Sequence, residues 1–328
     1  MKQCFVAKIT EILGEFSIVE NLARKKFISE FVVGLIQSRN VQFCEVAQHL
    51  RDSAKIGSNE VRIQDFFREV SLDYLKLGVL LLSFLPRRRK LRLCLDRTNW
   101  EFGRYSCNIL MVSVGCQDWS LPLYWEMLDN QGGNSSQDQR IDLLSVCVEL
   151  LGVRRIGLVI GDREFIGHRW LKYLKDQHIK FIVRFPKHHK IHRLDGRVQK
   201  AEEFELKIGQ VLTLSQVMIN GVVGNASLQL LADGEYLLLF GTTNVLWMEQ
   251  IYKQRWSIEV CFQNFKGRGF DLEKTHLQSD KKIKMLVALV SITYGLVVSI
   301  GRFYHQKVNS IKKRIMDTKP MALPERGL

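Results

Sequence analysis

Read from the N-terminus, the apolar positions first recur at helical spacing and then switch to alternation. Three stretches with a 3.6-residue period, Ala23 to Ile36, Val41 to Leu50 and Val61 to Val70, predict helices separated by polar turns at 37–40 and 52–59. The outline fits a helix-turn-helix, in which Arg62, Gln64, Asp65 and Arg68 would face DNA, and equally a small helical bundle. From Leu91 the period changes to two. Leu91, Leu93 and Leu95 alternate with Arg92, Cys94 and Asp96, which predicts a strand ending at Asp96, before a break at Arg97-Thr98-Asn99. Strands near Cys107 to Gly115 and Ser120 to Met127, joined by a Gln117-Asp118 turn, extend it to an antiparallel meander. Ser135 or Ser136 then caps a helix from Gln137 to Leu151.

Ile156 to Ile160 is a nearly continuous apolar run, as expected of a strand buried on both faces, with Gly161-Asp162 at its C-terminal end. A helix from Phe165 to Gln177 and a strand from Lys180 to Phe185 complete a β-α-β crossover. A basic, histidine-bearing loop follows, then strands at Val211 to Ile219 and Ser227 to Leu231 and a return strand from Tyr236 to Phe240. The next helix carries Glu259, with Ile251, Ile258, Cys261, Phe262 and Phe265 on an apolar flank. Three antiparallel strands, a helix, then parallel strands with helices is the order of an α/β, ribonuclease H-like mixed sheet with flanking helices. It carries an α-helical N-terminal region and a β-rich insertion before the helix that bears Glu259. The divisions expected are 1–90, a helical DNA-binding region; 91–185, the first part of the core; 186–240, the insertion and return strand; 241–304, the second part of the core; and 305–328, a basic tail. In this order the first and fourth strands are parallel neighbours, so Asp96 and Asp162 would meet at their carboxyl ends.

Composition narrows the partner. The 328 residues are 46% hydrophobic, ample for a core, and a formal charge of +14 with 34 acidic residues describes a mixed surface with a basic excess. That excess points to nucleic acid. It is spread over Arg87-Arg88-Arg89-Lys90, Lys187 to Arg193, Lys281-Lys282-x-Lys284 and Lys312-Lys313-Arg314. Seven cysteines without a C-x-x-C pair argue against a disulfide framework and fit a reducing cytosol, and Lys2, Lys8 and Glu11 interrupt any signal-peptide core. Met285 to Gly301, 17 residues without a charge, contains Ser291, Thr293, Tyr294, Ser299 and two glycines and reads as a buried helix rather than a membrane span.

The chemistry concentrates on three carboxylates and one helix face. In Tyr252-x2-Arg255-x3-Glu259-x6-Lys266 the four named residues fall within an arc of roughly 60° at about 100° per residue, so one helical face would present an acid and three phosphate-holding groups. Two carboxylates about 4 Å apart repel by roughly 4 kcal/mol at an effective dielectric of 20, a penalty that a divalent cation removes. Oxygen-only donors at Asp96, Asp162 and Glu259 favour Mg2+, with Mn2+ as a substitute, over zinc. Such ions activate an attacking oxygen and stabilise a leaving one in phosphoryl transfer. Arg255 can fork onto a phosphate, Lys266 can neutralise one and Tyr252 can donate a hydrogen bond, although Arg255 and Glu259 also have the spacing of an ordinary i,i+4 ion pair. Glu164, two residues after Asp162, is an alternative ligand that more naturally begins the next turn. His188, His189 and His192 lie among Lys187, Lys190 and Arg193, whose charge disfavours a cation. Trp247 and Trp256 read as packing residues.

With these segments in view, the chain resembles bacterial insertion-sequence transposases of the DDE type, specifically the Y-R-E-K subgroup, the fourth insertion-sequence family. The matching segments are Leu93-Cys94-Leu95-Asp96-Arg97-Thr98-Asn99-Trp100, Gly161-Asp162-Arg163-Glu164-Phe165-Ile166-Gly167 and Tyr252 through Lys266, within a likeness running from about Ala23 to Leu277. The resemblance implies a cytoplasmic, nucleoid-associated enzyme that cleaves transposon ends and transfers them into target DNA, cut-and-paste through hairpin ends, as a homodimer in a synaptic complex. It makes Asp96, Asp162 and Glu259 the catalytic metal ligands, and Tyr252, Arg255 and Lys266 contacts to terminal DNA. Members can hold a flipped base against an insertion tryptophan, whereas residues 186–232 here contain none. A nuclease on the same fold that cuts without joining and a non-catalytic DNA-binding protein are the alternatives.

Overall fold

Helix formation begins earlier than the periodicity suggests. A computed structural model describes residues 2–51, 53–102, 105–129 and 133–307, and its first element is α1 (Lys2–Phe16), followed by α2 (Leu22–Ser38), α3 (Phe43–Ala47), α4 (Ile56–Glu69) and α5 (Tyr74–Ser83). Asn21 caps α2 through its side chain and Asp73 caps α5, so each start is fixed by an Asx side chain that satisfies free backbone amides. Phe27, Phe31, Phe66 and Phe67 interlock α2 with α4. Of the residues expected to face DNA, Arg62 turns inward, ion-paired to Glu30 at 3.3 Å and lying over the Phe27 ring. Arg68 pairs with Asp65, and Gln64 is exposed.

The sheet follows: β1 (Leu91–Phe102), β2 (Tyr105–Cys116), β3 (Trp119–Leu128), then α6 (Gln137–Leu151), β4 (Ile156–Gly161), α7 (His168–Asp176) and β5 (Phe181–Arg184). Asp96 is not the end of its strand. β1 continues to Phe102 because β2 pairs with it antiparallel as far as Phe102↔Tyr105, while the parallel pairing with β4 stops at Cys94↔Ile160. Asp96 therefore stands two residues past the last β1–β4 pair, on the rim where Asp162 leaves β4. The helix expected from Phe165 starts at His168, after a 3-10 turn at Arg163–Phe165 that the Asp162 side chain caps through the Glu164 amide. α6 has the expected bounds and a full capping box between Ser136 and Gln139.

Segment 186–240 does not form a separate layer. Its strands β6 (Lys190–His192), β7 (Val198–Lys200), β8 (Val211–Ile219) and β9 (Val222–Leu230) join β10 (Tyr236–Gly241) in one ten-stranded sheet of order β3-β2-β1-β4-β5-β10-β9-β8-β6-β7. The last elements are α8 (Met248–Tyr252), α9 (Trp256–Phe265) and α10 (Asp280–Lys307). Alternation decides the two cores. Leu91, Leu93 and Leu95 pack with α6 and α7 on one face of the sheet, whereas Cys94 belongs to the other face with Ile258, Cys261 and Phe262 of α9. α10 is buried from Ile283 to Leu296 and lies against α2, α5 and β3; it is long and apolar enough to cross a membrane, yet most of that stretch is covered by protein. The basic run at 312–314 lies outside the described residues.

Candidate functional site

Arg92, Cys94 and Asp96 share the face of β1 that α9 covers, and each touches the 3-10 turn at Lys253–Arg255 that leads into α9. Arg92 donates to the Gln254 side chain, the Cys94 thiol sits 3.7 Å from the Gln254 carbonyl, and Asp96 accepts from Arg255 at 3.3 Å. Close approach is possible because Gly115 on neighbouring β2 offers no side chain: a Cβ there would stand 3.3 Å from the Cys94 sulfur and 3.4 Å from Ser257 Oγ. Ser120 of β3 donates to the Ser257 carbonyl at 3.0 Å and fixes the same turn of α9.

Arg255 is the hub. One guanidinium nitrogen donates to Asp96 and the other to Glu259, joining β1 to α9 across 159 residues, and its carbon lies 5.9 Å from the centre of the Tyr252 ring. The i,i+4 pair with Glu259 is present, and the same side chain also reaches Asp96. Burial opposes the Arg255 charge, but Tyr252, Asp96, Glu259 and Asp162 outweigh it and hold the guanidinium firmly protonated. Burial pushes the Asp96 carboxyl up to about 7; Arg255 and the Arg97 amide pull it back, while Asp162 and Glu259 push it further. Asp162 and Glu259 thus both act on Asp96. Tyr252 is raised to about 12, chiefly by burial, with Arg255, Asp162, Arg184 and Asp96 all within electrostatic reach.

The face expected to hold four groups is interrupted. A 3-10 turn at Lys253–Arg255 separates α8 from α9, and Lys266 lies just past the end of α9 with non-helical backbone, ion-paired to Glu273 at 3.0 Å. The tighter 3-10 turn changes the angular register between Tyr252 and Glu259. Tyr252, Arg255 and Glu259 are brought together with the aspartates; Lys266 is held apart with Glu273. Glu164 points away from the cluster, accepting from the Ser135 amide at 2.7 Å and from Arg97 at 2.8 Å, with Arg140 at 3.9 Å. Arg97 and Glu164 follow Asp96 and Asp162 by one and two residues, so this buried pair ties the two rim segments together. Trp247 and Trp256 are not packing residues: they are 58% and 37% exposed. His188 is exposed and His189 half-buried beside Phe185.

Arg184 joins the site without having been singled out from the sequence. It ends β5, one residue past the Gly161↔Val183 pair, with its charge disfavoured first by burial and then by Arg163, and it lies within reach of Tyr252 and Arg255. Its signal was present, since a basic residue closing the strand beside that of Asp162 must emerge at the same rim.

Donor chemistry at Asp96, Asp162 and Glu259, oxygen only, fits a hard divalent cation. As folded, Arg255 supplies the positive charge between Asp96 and Glu259, and among the described residues no three His, Cys, Asp or Glu side chains converge tightly enough to share an ion.

Residues 90–296 match the family model for the transposase DDE domain. No curated protein matches the chain. Among solved structures, that of a piggyBac transposase synaptic complex with hairpin DNA, determined by cryo-electron microscopy, is similar at 10% identity and a TM-score of 0.42, over 90% of this chain and 73% of that one.

Proposed function

Because this chain belongs to the transposase DDE-domain family, we propose that it cleaves the ends of a mobile DNA segment and joins them to target DNA, with Asp96, Asp162 and Glu259 as its catalytic acids. One observation carries the assignment: Arg255 draws together Asp96 from β1 and Glu259 from α9, at the rim where Asp162 leaves β4. The antiparallel β1–β3 meander with β4 and β5 parallel beyond β1 supports a ribonuclease H-like core. Tyr252, Arg255 and Glu259 in one neighbourhood support the Y-R-E-K subgroup. A bacterial, cytoplasmic enzyme, a synaptic homodimer and hairpin-ended cut-and-paste follow from that subgroup, as does the division into a DNA-binding N-terminal region and an interrupted core.

Family members generally use divalent metal ions, and Mg2+ is the ion proposed here. Asp96, Asp162 and Glu259 would hold it, and it would supply activation of the attacking oxygen and stabilisation of the leaving one. The remaining residues act on the substrate backbone. Arg255 is placed to fork onto a phosphate oxygen pair, Arg163 and Arg184 add positive charge at the same rim, and the buried Tyr252 hydroxyl, held protonated, can donate. Lys266 is assigned a more distant backbone contact, beyond its pair with Glu273.

The test uses purified protein, Mg2+ and a duplex carrying the element's own terminus. Asp96→Ala, Asp162→Ala and Glu259→Ala are expected to bind the duplex and leave it uncut. Cutting at the parental rate by all three removes the assignment, and ends that are cut but never appear in a target plasmid would make the chain a nuclease instead.

A further inference from the structure

Opposite the acids, the sheet ends in a band of positive charge. Lys90, Arg155 and Lys180 immediately precede β1, β4 and β5, three parallel strands adjacent in the sheet, so their backbones line up along one edge. Register sets their spacing: Leu91 pairs with Ile156, which puts Lys90 beside Arg155, while Val159 pairs with Phe181, which puts Lys180 beside Leu158, three residues further along the strands. Arg87, Arg88 and Arg89 lead into Lys90, Arg154 precedes Arg155, and all seven side chains from Arg87–Lys90, Arg154, Arg155 and Lys180 are exposed. The band continues across β2 and β3. Burial raises the Cys116 thiol while the charges of Arg88 and Arg302 oppose it, which places both guanidinium groups by the β2–β3 turn, where Arg302 also lies 5.9 Å from the Trp119 ring centre.

Beside the band lies an open groove of about 440 Å³. Lys90, Arg92 and Lys180 line it with Thr242 and Asn244, and the exposed Trp247 forms part of its wall. Acids toward this end of the sheet include Asp118 in the β2–β3 turn, Glu149 near the end of α6, Asp176 at the end of α7, paired with Lys172 at 2.7 Å, and Glu249, paired with Lys253 at 2.8 Å. Asp96 is six residues along β1 from Lys90, about 20 Å at 3.3 Å per residue. α9 covers the sheet face between them. A phosphate held at the acids therefore cannot also reach this edge, and a duplex contacting both must pass around the sheet.

Extended like-charged rows separated by strand spacing match a polyanion with regularly repeated charges better than a small ligand, and each strand contributes its own cation. We infer that the N-terminal edge of the sheet is a second DNA-contact surface, at which Arg87–Lys90, Arg154, Arg155 and Lys180 hold the backbone of duplex DNA away from the phosphate at the acids. The inference rests on the reading of the chain as a DNA-acting enzyme, and its test does not depend on cleavage.

The triple variant Arg154→Glu, Arg155→Glu, Lys180→Glu of the full chain is titrated with a labelled 30-base-pair duplex of unrelated sequence by fluorescence anisotropy over a series of salt concentrations. A urea midpoint equal to the parent's verifies the fold. Loss of three phosphate contacts is expected to flatten the slope of log affinity against log salt by about 2.7, at roughly 0.9 per phosphate. Affinity at low salt is expected to fall at least tenfold. A control with the same change of charge at Arg197, Lys200 and Lys207, in and beside the far strand β7, is expected to keep the parental slope. An unchanged slope in the first variant, or an equal loss in the control, overturns the inference. So does a variant that loses binding to phosphatidylserine vesicles while its DNA binding stays parental, since the edge would then face lipid. If the parent binds DNA through this edge and cuts no terminus, the catalytic reading falls and the surface stands.

Discussion

Arg255 does two things that pull against each other: it neutralises a pair of half-buried carboxylates, and it stands where a shared cation would have to be felt. Removing one partner of a buried ion pair leaves the other charge uncompensated, a loss of about 3–5 kcal/mol. Arg255→Ala is therefore expected to lower the urea midpoint in EDTA, and Mg2+ is expected to recover more stability in this variant than in the parent. Equal responses to Mg2+ would separate Arg255 from the acids. At Asp96 the sign reverses. Burial and two neighbouring acids disfavour its charge, so Asp96→Asn should hold or raise metal-free stability by about 1 kcal/mol while abolishing cleavage, the trade expected of a strained functional group. Glu164 belongs to the structure instead: it sits between Arg97 and the fully buried Arg140, and Glu164→Ala should cost about 3 kcal/mol by leaving both cations unpaired. The measurement is denaturant unfolding, and a loss of cleavage without a loss of stability would return Glu164 to the list of ligands.

Between elements, the decisive contact is α9 on the β1–β2 surface. Gly115 lets the helix approach Cys94, and Ser120 and Arg92 hold it there. Gly115→Val is expected to lift α9 and cut cleavage more steeply than it lowers the unfolding midpoint, because Glu259 rides on that helix and Arg255 stands at its N-cap position, whereas the sheet does not need it to pair. A parallel fall in both would show that α9 is simply part of the core. At α6 the capping box is a purely local device, and Ser136→Ala should cost about 1 kcal/mol with no change in cleavage per folded molecule.

For the molecule as a whole, α10 decides how the N-terminal helices join the sheet. Its hydroxyls are satisfied inside the helix, Ser291 on the Val287 carbonyl and Thr293 on the Leu289 carbonyl, which allows an apolar helix with polar residues to lie in a protein core. Ala288→Asp would bury an unpaired charge and is expected to abolish cooperative unfolding. Its Lys284 reaches Glu126 and lies 4.7 Å from the Tyr74 ring centre, binding α5, β3 and α10 together. The helical region and the sheet accordingly share one apolar cluster.

Periodicity sufficed for whatever depends on neighbours in sequence: the alternating faces of β1, the bounds and cap of α6, and the buried run of β4. It failed where a partner distant in sequence intervenes. The break expected after Asp96 is overridden by β2, whose antiparallel pairing continues β1 to Phe102. Lys266 was placed on the helical face by ideal geometry, and a 3-10 turn and Glu273 moved it off. The basic edge is different: strands remote in the chain lie about 4.8 Å apart in the sheet, and only their folding sets those charges side by side.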